Sequence, residues 1–83
     1  MKVVYYKSII CPRCIPTNRF IKRLKQTQPE IEVEEIEIIT NMSRAKQDGV
    51  KHVPTILAGS RRFYAAPRME ELLSALHQSG GAY

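Results

Sequence analysis

The chain has 83 residues, room for one domain around one modest core. It is 43% hydrophobic and 25% charged, as an ordinary soluble globular protein is. The net charge of +5 permits weak attraction to acidic partners or nucleic acid. The basic residues are dispersed, however: Arg19, Lys22, Arg23 and Lys25 fall on one predicted helix, and Arg61 and Arg62 in a turn. The interleaved aromatics of a stacking platform are missing, so nucleic-acid binding is set aside as a main function. No apolar run approaches a membrane span, and Met1–Lys7 is too short in apolar residues for a signal-peptide core. The expectation is a complete, cytoplasmic chain of one domain, residues 1–83.

Residues 2–7 predict a strand. Val3, Val4, Tyr5 and Tyr6 are β-formers without alternation, as in a central strand covered on both faces. Cys11-Pro12-Arg13-Cys14 follows and holds the chain's two cysteines. Two cysteines do not make a secreted disulfide framework; at this spacing they fit a reactive pair in a reducing compartment. A helix is predicted from Pro12 to about Gln28, with Pro12 suited to its first position. Its apolar stripe is Ile15, Phe20, Ile21 and Leu24, and Pro29 ends it. Pro16 lies inside it and forfeits a bond to the Pro12 carbonyl, which predicts a kink or a loosened first turn. A helix starting at Cys11 would present unpaired N–H groups and a partial positive charge to the thiols, favouring thiolate.

Residues 31–39 predict a second strand whose alternation reverses phase at Glu34-Glu35, by early termination or a bulge. Its glutamates mark an edge. Thr40 or Asn41 would cap a short helix through Asp48, with Met42 and Ala45 inward, a left-handed stop at Gly49 and Val50 folding back. Ile56-Leu57-Ala58 and Arg61–Ala65 predict a hairpin turning at Gly59-Ser60. Pro67 opens a last helix with Met69, Leu72, Leu73 and Leu76 on one apolar face and Gly80-Gly81 at its end. The order β-α-β-α-β-β-α predicts an α/β fold: a four-stranded mixed sheet with helices on both faces.

That order, with Cys11-Pro12-Arg13-Cys14 between first strand and first helix, resembles the thioredoxin superfamily. It resembles most its small glutaredoxin-like members. A second motif carries the likeness: Gly49-Val50-Lys51-His52-Val53-Pro54-Thr55 is similar to the Gly-Val-x-x-Val-Pro-Thr segment of thioredoxins. The resemblance covers essentially the whole chain. It implies a cis Val53–Pro54 bond packed against the cysteines, with the Val53 backbone open to an incoming peptide. It implies a dithiol–disulfide oxidoreductase that reduces protein disulfides through a mixed disulfide. Cys11 would attack and Cys14 resolve, while Val53, Pro54, Thr55, Pro12 and Arg13 would contact substrate. Arg13 would add positive charge beside Cys11.

No cofactor beyond a redox-active Cys11–Cys14 disulfide is implied, with glutathione left open. The expected partners are disulfide-containing client proteins and an upstream reductase, either flavin-dependent or glutathione, acting on a monomer. The chain departs from the family in places. Tyr5 stands where thioredoxins have a buried acid, there is no Trp, and Ala65-Ala66-Pro67 replaces the Gly-Gly of glutaredoxins. Two readings stay beside the first. One is a glutathione-dependent glutaredoxin. The other is a binding module whose thiols hold a metal or an iron–sulfur cluster. His52 and His77 are the remaining soft ligands, and neither has a partner at zinc-ligand spacing, so no metal site is expected. His52 could also flank the thiols and tune them.

Overall fold

The computed structural model describes residues 2–9 and 11–78. The elements follow as β1 (Lys2–Lys7), α1 (Cys14–Thr27), β2 (Glu32–Glu37), α2 (Met42–Gln47), β3 (Thr55–Ala58), β4 (Arg61–Phe63) and α3 (Met69–Gln78). The predicted stop at Gly80-Gly81 lies outside the described residues. The strand order is β2-β1-β3-β4, with β1 parallel to β2 and antiparallel to β3, and β4 antiparallel to β3. The expected α/β order and four-stranded mixed sheet are therefore present. Among the described residues, no helix is long and apolar enough to cross a membrane.

The missing alternation of β1 has its explanation in this order. Val3, Val4, Tyr5 and Tyr6 are all fully buried, because β1 is central and both faces are covered. Val3 and Tyr5 enter the core under α1 and α3, with Ile21, Leu24, Ile56, Leu72 and Leu76. Val4 and Tyr6 enter the core under α2, with Ile36, Ala45, Val50 and Leu57. The Tyr6 hydroxyl donates to Asp48 and lies 3.4 Å from the Arg44 carbonyl oxygen, so a buried polar group finds its partners on α2.

β2 is an edge strand, shorter than the apolar run that announced it, and it carries no bulge. Its register with β1 runs unbroken from Lys2 opposite Glu32 to Lys7 opposite Glu37. The phase reversal arises because each end of the run is buried on a different face. Ile31 and Val33 pack toward α1, and Ile36 and Ile38 toward α2. The adjacent glutamates between them do the same in charge. Glu34 is gripped by Arg44 at 2.5 and 2.6 Å and by Lys2 at 3.1 Å. Those hydrogen bonds, Arg44 first, pull its carboxyl down to about 2. Glu35 takes Lys7 at 3.0 Å and also Lys25 of α1. Burial works against the Glu35 charge, but the two lysines outweigh it and hold its carboxyl below the usual range.

Three expectations for the helices are corrected. α1 begins at Cys14, later than the predicted Pro12. Pro16 has no N–H for the Pro12 carbonyl, so the Ile15 N–H takes it at 3.2 Å, and the Cys14 N–H bonds the Cys11 carbonyl at 3.1 Å. The first turn is wound tighter, and regular α-helix starts after it. Second, Ile15 is 54% exposed and leaves the predicted stripe. The buried row is Cys14, Thr17, Ile21 and Leu24 with Phe20, and Ile15 lies about 100° round the helix from Cys14. Third, Met42 is 70% exposed, and only Ala45 of α2 is buried. Asn41 occupies the cap position, but its side chain donates backward to the Glu37 carbonyl at 2.8 Å.

The end of α2 is as expected. Gly49 has φ +69, its N–H bonds the Lys46 carbonyl at 3.1 Å, and the Val50 N–H bonds the Ala45 carbonyl at 2.8 Å. Val50 folds back into the core. A Cβ at Gly49 would lie 3.7 Å from the Arg62 guanidinium, an ordinary contact. Gly49→Ala therefore costs the backbone term alone, about 1 kcal/mol. The check is a lower urea midpoint with unchanged slope.

The hairpin turns at Gly59-Ser60, with Gly59 at φ +61 and Ala58 opposite Arg61. β4 stops at Phe63, so Tyr64 and Ala65 fall beyond the predicted strand, and Tyr64 is 60% exposed. In α3 the buried residues are Leu72, Ala75 and Leu76, while Met69 and Leu73 pack at the margin.

Candidate active site

Antiparallel pairing of β3 with β1 fixes where the two motifs meet. Thr55, the first residue of β3, lies opposite Tyr6 at the end of β1. The loop before β3 therefore lies beside the loop that follows β1. The first loop carries Val53 and Pro54, joined by a cis peptide bond. The second carries Cys11. Pro54 is buried and Val53 half-buried. The fully buried Thr55 donates its hydroxyl to the His52 carbonyl at 2.7 Å and so ties the loop to itself.

Both cysteines are free thiols. Cys11 is half-buried, and its N–H bonds the Ser8 carbonyl at 3.3 Å. Its Sγ donates to the Val53 carbonyl at 3.8 Å, which joins the two loops directly. Because α1 starts at Cys14, Cys11 stands in the tight turn before the helix and not at its first position. Cys14 is fully buried. Burial pushes its thiol above the usual cysteine range, and the hydrogen bond with Cys11 adds to that. The Ser8 backbone and the Tyr5 hydroxyl pull the other way without cancelling it. The pair is thus unequal: one sulfur open to the outside, the other enclosed and held protonated at neutral pH.

Among the predicted substrate-contacting residues, Val53 meets Cys11 through its carbonyl, Pro54 and Thr55 follow it in the chain and are buried, and Pro12 and Arg13 lie exposed between the two cysteines. Arg13 stands at the cap of α1 and makes no ion pair among the described residues. His52 is exposed on the loop. No group of three or more His, Cys, Asp or Glu side chains among the described residues could hold a metal. The donor set at the site is two sulfurs, which is short of the four ligands of a structural zinc.

Sequence reasoning missed the shape of the surroundings. Cys11 opens into a cleft of about 460 Å³ lined also by Lys7, Ile9, Pro12, Ile15 and Asn18. Ile9 is 83% and Ile15 54% exposed, so the cleft has an apolar rim. Ile10, the next residue in the chain, lies outside the described residues. A groove of similar volume, about 470 Å³, lies along α2 between Ile38, Met42 and Val50 and contains neither cysteine. Also missed was a polar contact beneath the cleft: Tyr5 donates to Asn18 Oδ1 at 2.6 Å. The available signal was spacing, since Asn18 follows Cys14 by one helical turn and shares its side of α1.

A dithiol at the β1–α1 junction, facing a cis-proline loop at the end of a four-stranded mixed sheet, defines a thiol–disulfide oxidoreductase of the thioredoxin type. Comparison with known proteins agrees. The chain is 32% identical over 78 residues to a thioredoxin of Methanocaldococcus jannaschii, covering 92% of each. Thioredoxin 1 of Thermosipho africanus superposes with a TM-score of 0.73 at 25% identity, over 94% of this chain and 92% of that one. Desulfothioredoxin of Desulfovibrio vulgaris Hildenborough shares the fold, with a TM-score of 0.74 at 16% identity over 93% and 79% of the two chains. No family model matches the sequence. The chain belongs to the thioredoxin family.

Proposed function

We propose that the chain reduces disulfides of client proteins by a two-step exchange in which Cys11 attacks and Cys14 resolves. One observation carries this assignment of roles. Cys11 is accessible from the cleft, whereas Cys14 is fully enclosed beside it. The Cys11 thiolate attacks one sulfur of the client disulfide. A Cys11–client bond forms and the client S–S bond breaks, releasing one client thiolate. Cys14 then loses its proton and attacks Cys11 Sγ, the mixed disulfide breaks, and the second client thiolate leaves. The product is a Cys11–Cys14 disulfide, the only redox group required. Resolution is intramolecular, and a held neighbour outcompetes free thiols.

Client docking falls to the proline loop. The Val53 carbonyl is turned to Cys11, and its N–H has no partner among the described residues. An extended client segment pairs its backbone with that N–H, its side chains lying on Pro54 and the apolar rim at Ile9 and Ile15. Pro12 and Arg13 border the same segment. Electrons return from an upstream reductase, flavin-dependent or drawing on glutathione, in a reducing cytoplasmic setting.

Cys14→Ser tests the division of roles. The variant retains its client on Cys11 as a mixed disulfide, seen as a dithiothreitol-sensitive adduct on a non-reducing gel, while Cys11→Ser traps nothing. Trapping on Cys14 instead would reverse the assignment.

A further inference from the structure

The first carboxylate of the chain is Glu30. Everything before it, both cysteines included, carries cations and no acid. Some of those cations are taken up by the glutamates of β2: Lys2 pairs with Glu32 and Glu34, and Lys7 and Lys25 pair with Glu35. Arg13, Arg19, Lys22 and Arg23 make no ion pair among the described residues, and they lie on the segment that holds the thiols. Two of them are placed in relation to the cleft. Ile15, Asn18, Arg19 and Lys22 fall at i, i+3, i+4 and i+7 of α1, which is one face. All four are exposed, so that face points outward. Its first two members, Ile15 and Asn18, line the Cys11 cleft. A stripe therefore leaves the cleft along α1, apolar at the thiol end and cationic beyond it. At about 1.5 Å of rise per residue, Arg19 lies about 6 Å and Lys22 about 10 Å past Ile15.

We propose that this stripe selects clients with acidic residues beside the disulfide: an extended client segment lays an apolar side chain on Ile9 and Ile15 and carboxylates on Arg19 and Lys22. The proposal rests on Cys11 as the attacking thiol and adds which clients it takes. An extended chain advances about 3.3 Å per residue, so the spacing along α1 calls for acids about two and three residues past the apolar one. Ion pairs at exposed sites are modest in energy, but they raise the rate of encounter and penalise basic segments. Charge decides between occupants. A second copy of the chain would have to offer a free acidic surface. Its β2 edge does not, since Glu34 is held by Lys2 and Arg44, and Glu35 by Lys7 and Lys25. A nucleic-acid strand would meet the same cations, but the cleft beside them carries two exposed isoleucines and no aromatic ring on which a base could stack. An acidic protein segment with an apolar anchor satisfies both halves of the stripe.

Fluorescent peptides test it, each joined through its one cysteine to a quencher by a disulfide. Outward from the cysteine on both sides come Leu, Ser and a pair of test residues, which are glutamates, glutamines or lysines. Reduced protein at low salt should open the glutamate peptide about fivefold faster than the glutamine peptide, and the lysine peptide more slowly than either. Salt at about 1 M should bring the rates together. Arg19→Glu combined with Lys22→Glu should reverse the order of the glutamate and lysine peptides. The glutamine peptide and a small neutral disulfide should react with the double variant as with the wild type. Equal rates for all the peptides at low salt overturn the proposal. A double variant that slows every peptide and the small disulfide alike overturns it too, since the cations would then act on Cys11 and not on the client. An oligonucleotide that blocks all the peptides equally, where polyglutamate does not, would assign the stripe to nucleic acid and overturn it as well. Failure of the wild type to open any of these disulfides is a different result: it removes the parent reading of Cys11, and the docking proposal with it.

Discussion

Cys11→Ser brings insulin reduction by dithiothreitol to the uncatalysed rate, a loss of about a thousandfold or more. Serine preserves the shape of the side chain and replaces the thiol with a far weaker nucleophile. The loss is that large because the second sulfur cannot stand in for the first. Cys14 is fully buried, and both burial and its contact with Cys11 keep it protonated. Attack on a client therefore depends on the half-buried sulfur in the cleft. The turbidity assay with dithiothreitol measures this directly, and equal rates for variant and wild type would remove Cys11 from the chemistry.

Leu24→Ala is expected to be the most damaging change away from the thiols. Leu24 is fully buried on the inner row of α1, against Val3, Tyr5 and Ile56 of the sheet and Leu72 and Leu76 of α3. Truncation removes transfer free energy and leaves a cavity, at a cost of about 3 kcal/mol. A domain of this size has about 5–10 kcal/mol in all, and the midpoint of thermal unfolding should fall by about 15 °C. Circular dichroism on heating checks it. A fall of no more than about 4 °C would mean that α1 is not seated on the sheet through this row.

The sequence was most legible where one physical cause acted alone. The unalternating Val3–Tyr6 meant burial on both faces, and all four are fully buried. Gly49 followed by Val50 meant a left-handed stop with an apolar return, and both bonds are present. The two motifs marked which loops carry the thiols and the proline. Pairing across the sheet, which periodicity does not report, brought those loops together. Where two causes competed, reading residue types was insufficient. Ile15 looked like core because it is apolar, but the tightened turn before Cys14 set the phase of α1 and turned it to the cleft. Met42 looked inward for the same reason, yet a helix as short as α2 buries only Ala45. Asn18 was passed over because a polar residue in a polar stretch of helix resembles surface. Its partner is Tyr5, thirteen residues earlier on another element.

The order β2-β1-β3-β4 has a consequence for how the protein comes into being. The central strand precedes both of its neighbours in the chain, and one edge of it is completed only by Thr55–Ala58. During synthesis on the ribosome, β1, α1 and β2 emerge while the partner of that edge is still unmade. Throughout that interval no proline loop faces Cys11 and the sheet beneath α1 is open. The Val53 carbonyl that meets Cys11 Sγ arrives only with the loop before Thr55–Ala58, and β4 (Arg61–Phe63) closes the sheet after it.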